Sequence, residues 1–183
     1  MSNIYLGQWK TDTRTGKQYM VIQSGPKSFS ESQTMCTELG GYLPEPRDEL
    51  ENNFLDSLTY NIFFLGMTDS VVEGDWRWRT DFTQVTWKNW VHWTNYADSP
   101  NGGTKENCAM MLKQINKGME GHSTKAWADF VCSERIDEMS VVCEKGEDIL
   151  TNLVNCQLIP LGTSRCVPTS QTGLKHIGLF LSL

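Results

Sequence analysis

Long apolar runs, clustered basic residues and paired cysteine motifs are all missing from this chain, and each absence closes off a class of function. No stretch reaches the roughly 18 apolar residues that a membrane-spanning helix needs, so no membrane span is expected. Basic side chains are in the minority, 16 Lys and Arg against 22 Asp and Glu, for a net charge of −6. Residues such as Lys10, Arg14 and Lys17 are scattered. Nucleic-acid affinity is built mainly from clustered Lys and Arg on phosphates, so no nucleic-acid partner is expected. There is no Gly-rich phosphate loop, no Asn-x-Ser/Thr acceptor and no C-x-x-C pair of the kind that holds zinc or forms a redox dithiol. The three histidines, His92, His122 and His176, stand alone, and no Ser or Cys nucleophile has a recognisable setting. An enzyme is not expected. His92, between Val91 and Trp93, reads as a packed loop residue.

Cysteine itself is present in an even set of six: Cys36, Cys108, Cys132, Cys143, Cys156 and Cys166. Their wide, irregular spacing fits structural disulfides, which persist in oxidising compartments, and an extracellular, secreted location is expected. Met1-Ser2-Asn3-Ile4-Tyr5 has no basic segment followed by an apolar run, so no signal peptide is visible; the expectation is that the given start lacks a leader. A length of 183 residues suits one domain with a short appendage.

Local patterns predict the elements in order. Gln18-Tyr19-Met20-Val21-Ile22 reads as a strand, ended by the turn signal Ser24-Gly25-Pro26. Ser28 and Glu31 have the spacing of a capping box, so a helix is expected from there to Leu39, with Gly40-Gly41 as its stop. A second helix is expected from about Pro46, with Leu50, Phe54 and Leu58 as its apolar stripe. Ile62 to Met67 is a continuous apolar run and reads as a buried strand. From Thr68 to Asn107 regular periodicity disappears for about 40 residues, a length that in a compact domain is usually functional. This stretch holds Trp76, Trp78, Trp87, Trp90 and Trp93, whose rings are expected to pin it to the body by burial. Strands resume at 108–112, near 127–131 and at 139–143, with a hairpin tip expected over 116–125. After Lys145 the character changes, and 149–154 suggests a short helix.

The order of these motifs carries a resemblance. The helix with Cys36 ends in Glu38-Leu39-Gly40-Gly41-Tyr42-Leu43. Phe64-Leu65-Gly66-Met67-Thr68-Asp69, Glu73-Gly74-Asp75-Trp76-Arg77-Trp78, Ser99-Pro100-Asn101, Glu106-Asn107-Cys108, Trp127-Ala128-Asp129, Cys132 and Val142-Cys143-Glu144 follow. The chain resembles the C-type lectin-like domain family in its short form, over about Tyr5 to Lys145. The resemblance implies an α+β fold, with two helices flanking small antiparallel sheets and a long loop region bearing the ligand site. It implies a domain over 5–145, followed by a C-terminal extension over 146–183. It also implies the disulfides Cys36–Cys143 and Cys108–Cys132. On chain-entropy grounds the shorter loop is worth roughly 3 kcal/mol and the longer one somewhat above 4. Cys156 and Cys166 are left over in the tail, and local pairing is the first expectation.

In lectins of this family a loop calcium holds the sugar, and the positions matching its ligands here are Asn101, Glu106 and Asp129. Two positions depart from the pattern. Ser99 offers only a neutral hydroxyl and Ala128 offers no oxygen, although Asp98 is close enough in sequence to substitute. Calcium takes six to eight oxygens, so binding is expected to be weak or absent. A second partial calcium position uses Asp69, Glu73 and Glu106. The alternative is that Asp69, Glu73 and Glu106 cap turns or accept backbone N–H groups. The resemblance also implies a cis peptide before Pro100, against the ordinary trans form. The expected ligand is a glycan or glycoprotein, contacted by Asp98, Ser99, Asn101, Glu106 and Asp129, with Tyr96 stacking on a sugar face. The alternative is a calcium-independent protein-binding module using the same loops.

Overall fold

The computed structural model describes residues 5–23, 25, 27–93, 97–113, 125–137, 139–146, 157–158 and 164–165. The chain divides into two compact units, Met1–Glu147 and Asp148–Leu183. In the second, the described strands β9 (Gln157–Leu158) and β10 (Ser164–Arg165) pair antiparallel. Cys156, Cys166, the segment 149–154 and most of the 116–125 tip lie outside the described residues.

In the first unit, β1 (Tyr5–Leu6), β2 (Lys10–Thr11) and β8 (Val141–Lys145) pair with β3 (Gln18–Gln23) to form one antiparallel sheet. A second sheet has the order β5 (Arg77–Trp78), β4 (Phe63–Thr68), β6 (Cys108–Met111) and β7 (Trp127–Phe130). Helix α1 (Phe29–Glu38) starts on the expected capping box: Ser28 Oγ accepts from Glu31 N, and Glu31 Oε2 accepts from Ser28 N at 2.8 Å.

Helix α2 differs from expectation. It runs over Glu49–Leu58, with Asp48 as its cap accepting from Glu51 N at 2.8 Å. A side-chain oxygen satisfies an orphan amide of the first turn, and that outweighs a Pro46 start. Of the expected stripe, Phe54 and Leu58 pack against the core, whereas Leu50 is 57% exposed and Glu51, Asn52 and Leu55 are buried. The two polar groups pay for their burial with partners: Asn52 Oδ1 accepts from Trp127 Nε1 at 2.7 Å, and Glu51 accepts from Lys17 Nζ.

The apolar run of β4 is buried on both faces, which is why it lacks alternation. Phe63, Leu65 and Met67 face one core with Leu55, Ala109, Met111, Trp127 and the loop tryptophans Trp76 and Trp78. Phe64 faces the other, with Phe29, Ile22, Met110, Val141 and all of Cys36, Cys108 and Cys143. Gly66 lies between them because a side chain there would meet the carbonyl oxygen of Leu43, which stands 2.6 Å from the site of a Cβ. The two implied disulfides are present, Cys36–Cys143 and Cys108–Cys132. Strand β8 begins two residues later than the periodicity predicted.

A buried ionic cluster joins three elements that are far apart in the chain. Lys17 Nζ lies 3.1 Å from Glu51 and 2.9 Å from Glu144, whose side chain is 1% exposed. Glu144 also accepts from Tyr42 Oη and from Glu45 N. Burial pushes the Glu144 carboxyl up, against the opposing pull of Lys17. Burial lowers the Lys17 ammonium, yet the Glu144 and Glu51 charges outweigh it and leave its pKa above the ordinary value.

Candidate functional site

The long loop is less irregular than its sequence. Residues 76–78 and 83–85 form a hairpin, in which Trp78 N donates to Thr83 O and Val85 N to Trp76 O. The tryptophans meet edge to face, Trp76 on Trp90 at 4.9 Å and Trp87 on Trp127 at 5.2 Å between centroids. Offset and edge contacts suit the ring quadrupoles. Trp127 exchanges backbone hydrogen bonds with both Asn89 and Val91, and Ser99 N donates to Val91 O. These bonds lay the 89–91 segment beside β7 and bring 99–102 over it.

Asp129 is the anchor beneath that loop. It alternates with Ala128 along β7, so it shares the buried face of Trp127. One carboxylate oxygen of Asp129 accepts from Asn101 N and from Gly102 N, both at 2.6 Å. The peptide between Ser99 and Pro100 is cis. Asn101 Nδ2 donates to Ala97 O at 2.6 Å. Glu106 folds back across Gly102, where a Cβ would stand 2.2 Å from its carboxylate oxygen. Its pKa is raised by burial first, and then by the nearby Asp129 charge.

Asp69, at the end of β4, is 3% exposed. Its Oδ2 accepts from Gly74 N at 3.0 Å, while its Oδ1 has no hydrogen-bond partner among the described residues. Burial, and to a lesser degree the Asp129 charge, hold its pKa up. Glu73 is exposed and Ser99 is buried. The Ser99 hydroxyl lies 3.4 Å from Trp93 Nε1, as an acceptor. Asp98 turns away to its own loop, accepting from Trp93 N at 2.9 Å and lying 2.7 Å from His92 Nδ1. His92 was expected to be packed; its side chain is instead 83% exposed, because a hydrogen bond to Asp98 serves the ring without burial. Tyr96 lies outside the described residues.

The family profile described as the lectin C-type domain matches residues 25–145. The chain belongs to the C-type lectin domain family. Members of this family are binding modules, not enzymes. The perlucin-like protein of Mytilus galloprovincialis is 29% identical over 123 residues, 64% of this chain and 69% of that protein. Mouse (Mus musculus) tetranectin is 29% identical over 140 residues, 72% of this chain, which spans only 61% of tetranectin. Among solved structures, the carbohydrate-recognition domain of the mouse scavenger receptor C-type lectin superposes with a TM-score of 0.60 at 25% identity, covering 76% of this chain and 94% of that one. A calcium-independent type II antifreeze protein has the same fold, with a TM-score of 0.58 at 20% identity over 75% of this chain and 91% of its own.

C-type lectins generally bind calcium, and the family also has calcium-independent members. Calcium takes six to eight oxygens. Here no group of three acid, histidine or cysteine side chains suited to a metal occurs among the described residues. One Asp129 oxygen accepts from two backbone amides, Ser99 accepts from Trp93 Nε1, and position 128 has no side-chain oxygen.

The raised Glu106 pKa gives a direct expectation for stability. A carboxyl whose folded pKa lies above its unfolded value costs the fold increasingly as pH rises through the interval between them, and costs nothing below it. Glu106→Gln therefore raises Tm by about 1–3 °C at neutral pH and leaves it unchanged near the ordinary carboxylate pKa. Calorimetric scans of both proteins across that pH range check this; a lower Tm for the variant at neutral pH contradicts it.

Proposed function

We propose that this chain is an extracellular glycan-recognition module that binds through its long-loop face without requiring calcium. One observation carries the reading: Asp129 holds the backbone amides of Asn101 and Gly102, and Glu106 folds back over Gly102 beside the exposed Asn101. The Glu106 carboxylate and the Asn101 side-chain amide are acceptors on one loop. A vicinal diol brings two O–H donors of matching spacing, and hydrogen bonds to a charged acceptor are the stronger kind. Preorganisation of the loop lowers the ordering cost of binding. Asp98 and Ser99 then support the loop, and Tyr96 is the aromatic available to stack on a sugar. Two disulfides support an oxidising, extracellular setting, and no helix among the described residues is long and apolar enough to cross a membrane.

A second reading is a calcium-independent protein-binding module on the same face. Ala128 and the inward-turned Ser99 favour it, because they remove the metal through which sugars are held elsewhere in the family. Glycan-array binding with and without a chelator tests both. Glycan binding that survives chelation and falls in Asp129→Asn supports the proposal. Binding abolished by chelation overturns calcium independence. No glycan signal in either condition overturns sugar recognition and leaves the protein ligand. A thermal scan with added calcium gives a separate check, since a ligand of the folded state alone must raise Tm; no shift is expected.

A further inference from the structure

Phe82 stands at the tip of the 76–85 hairpin and carries two costs that the fold does not need. Its φ is 57°, the one positive value on a non-glycine residue among those described, and a bulky residue there is an outlier. Its side chain is nonetheless exposed, at 64%, so burial does not repay the strain. The turn is held by groups that any residue would supply. Phe82 N donates to Trp78 O at 3.2 Å, Arg77 Nη1 donates to Phe82 O at 3.0 Å, and Asp81 accepts from Thr83 N and Oγ1. Glycine or asparagine would keep every one of these bonds at lower cost. The ring is displayed rather than packed, and strain held against stability points to function.

Over one face of the ring lies a cation. The Arg79 guanidinium carbon sits 5.9 Å from the Phe82 centroid, and among the described residues Arg79 makes no ion pair. Its neighbours are spoken for: Arg47 by Glu45 and Asp81, and Arg77 by Asp75. The tip is also remote from the long-loop site. Thr68 pairs with Arg77, whereas Arg79 N bonds Gly66 O, so the hairpin runs back along β4, away from the end where Asp69 and Asn107 lie.

We propose that this hairpin tip is a second binding site, for a single anionic sugar residue. The C–H face of the sugar lies on the Phe82 ring, and its carboxylate or sulfate takes the N–H fork of Arg79, a geometry suited to planar or trigonal oxyanions. Charge limits the ligand further. With Asp75 and Asp81 alongside and a net charge of −6 on the chain, a densely sulfated polymer is repelled. One charged sugar within an otherwise neutral glycan is the match. The site is independent of the long-loop reading and stands or falls separately.

The test uses the full chain and three oligosaccharides of common backbone: neutral, carrying one uronic acid, and carrying one sulfate ester. Calorimetric titration of wild type gives tighter binding of at least one anionic compound than of the neutral one, and salt weakens that excess. The comparison of uronate with sulfate says which oxyanion the site takes. Arg79→Gln and Phe82→Leu each weaken that excess about tenfold or more. Phe82→Gly raises Tm by about 2–4 °C, through relief of strain, yet loses the ligand. Equal affinity for the neutral compound overturns the proposal, as does no binding of either anionic one. So does unchanged affinity in Arg79→Gln and Phe82→Leu, or a Phe82→Gly protein less stable than wild type.

Discussion

Replacing Cys36 and Cys143 together by alanine removes about 4–5 kcal/mol of stability and leaves the domain largely unfolded at about 37 °C. The bridge closes a loop of sequence separation 107, and loop-closure entropy grows with length, so this is the larger of the two clasps. Domains of this size have only about 5–15 kcal/mol in total. The second bridge, Cys108–Cys132, spans 24 residues and is worth about 3 kcal/mol on the same argument. Far-UV circular dichroism and thermal scans under non-reducing conditions measure both. The ordering matters more than either value. A Cys36/Cys143 double variant as stable as wild type, or less affected than the Cys108/Cys132 double variant, would sink the account.

Removing Lys17 has the next largest effect, and it depends on pH. Lys17→Met leaves Glu51 and Glu144 facing each other without a cation, at side-chain exposures of 7% and 1%. Losing one partner of a buried ion pair is far more costly than replacing both, because the remaining charge is stranded. Lys17 itself is partly exposed, which discounts the figure to about 2–4 kcal/mol at neutral pH. The sign with pH follows from the direction of each shift. The wild-type Lys17 pKa is raised on folding, so its contribution is complete below the ordinary lysine value and is lost only as pH rises through the folded pKa. In the variant, burial raises the Glu144 carboxyl without the opposing pull of Lys17. It takes up a proton as pH falls, and the deficit narrows toward the acid range. Chemical denaturation at neutral and mildly acidic pH measures the gap, and adding Glu144→Gln to Lys17→Met should recover part of it. A deficit that widens with acid would show that the charges are not the cause.

Much of the fold was legible from residues close together in the chain. Ser28 and Glu31 are three apart, and their reciprocal hydrogen bonds depend on little beyond the turn they cap. The run from Ile62 to Met67 announced a strand buried on both faces. The second helix was misplaced for an equally physical reason. The four-residue spacing found Phe54 and Leu58, which pack on the core, but not Asn52 reaching Trp127 or Glu51 reaching Lys17, contacts that local patterns do not contain. The same holds for Glu45, whose carboxylate takes Thr80 N and Oγ1 and the Arg47 guanidinium and so ties the hairpin to the body.

The candidate site divides along the same line. Asn101, Glu106 and Asp129 were named from the sequence, and tertiary structure brings them together around the loop that follows the cis peptide. Asp98 was a reasonable substitute by proximity in sequence, yet it is turned toward His92. Phe82 and Arg79 went unnoticed. Their sequence signal was a bulky aromatic inside the turn segment Thr80-Asp81-Phe82-Thr83, where turn chemistry favours glycine or asparagine.

By itself, the sequence determined the family, the cysteine pairing that the family implies, and the types of atom available to a ligand. These are carried by residue identity and order, which no packing can alter. Tertiary structure alone decided which oxygens were already spent: Ser99 on a tryptophan, one oxygen of Asp129 on two amides, Glu51 and Glu144 on a lysine. A side chain's chemistry is written in the chain, but whether a lone pair remains to bind anything depends on which neighbours reach it first.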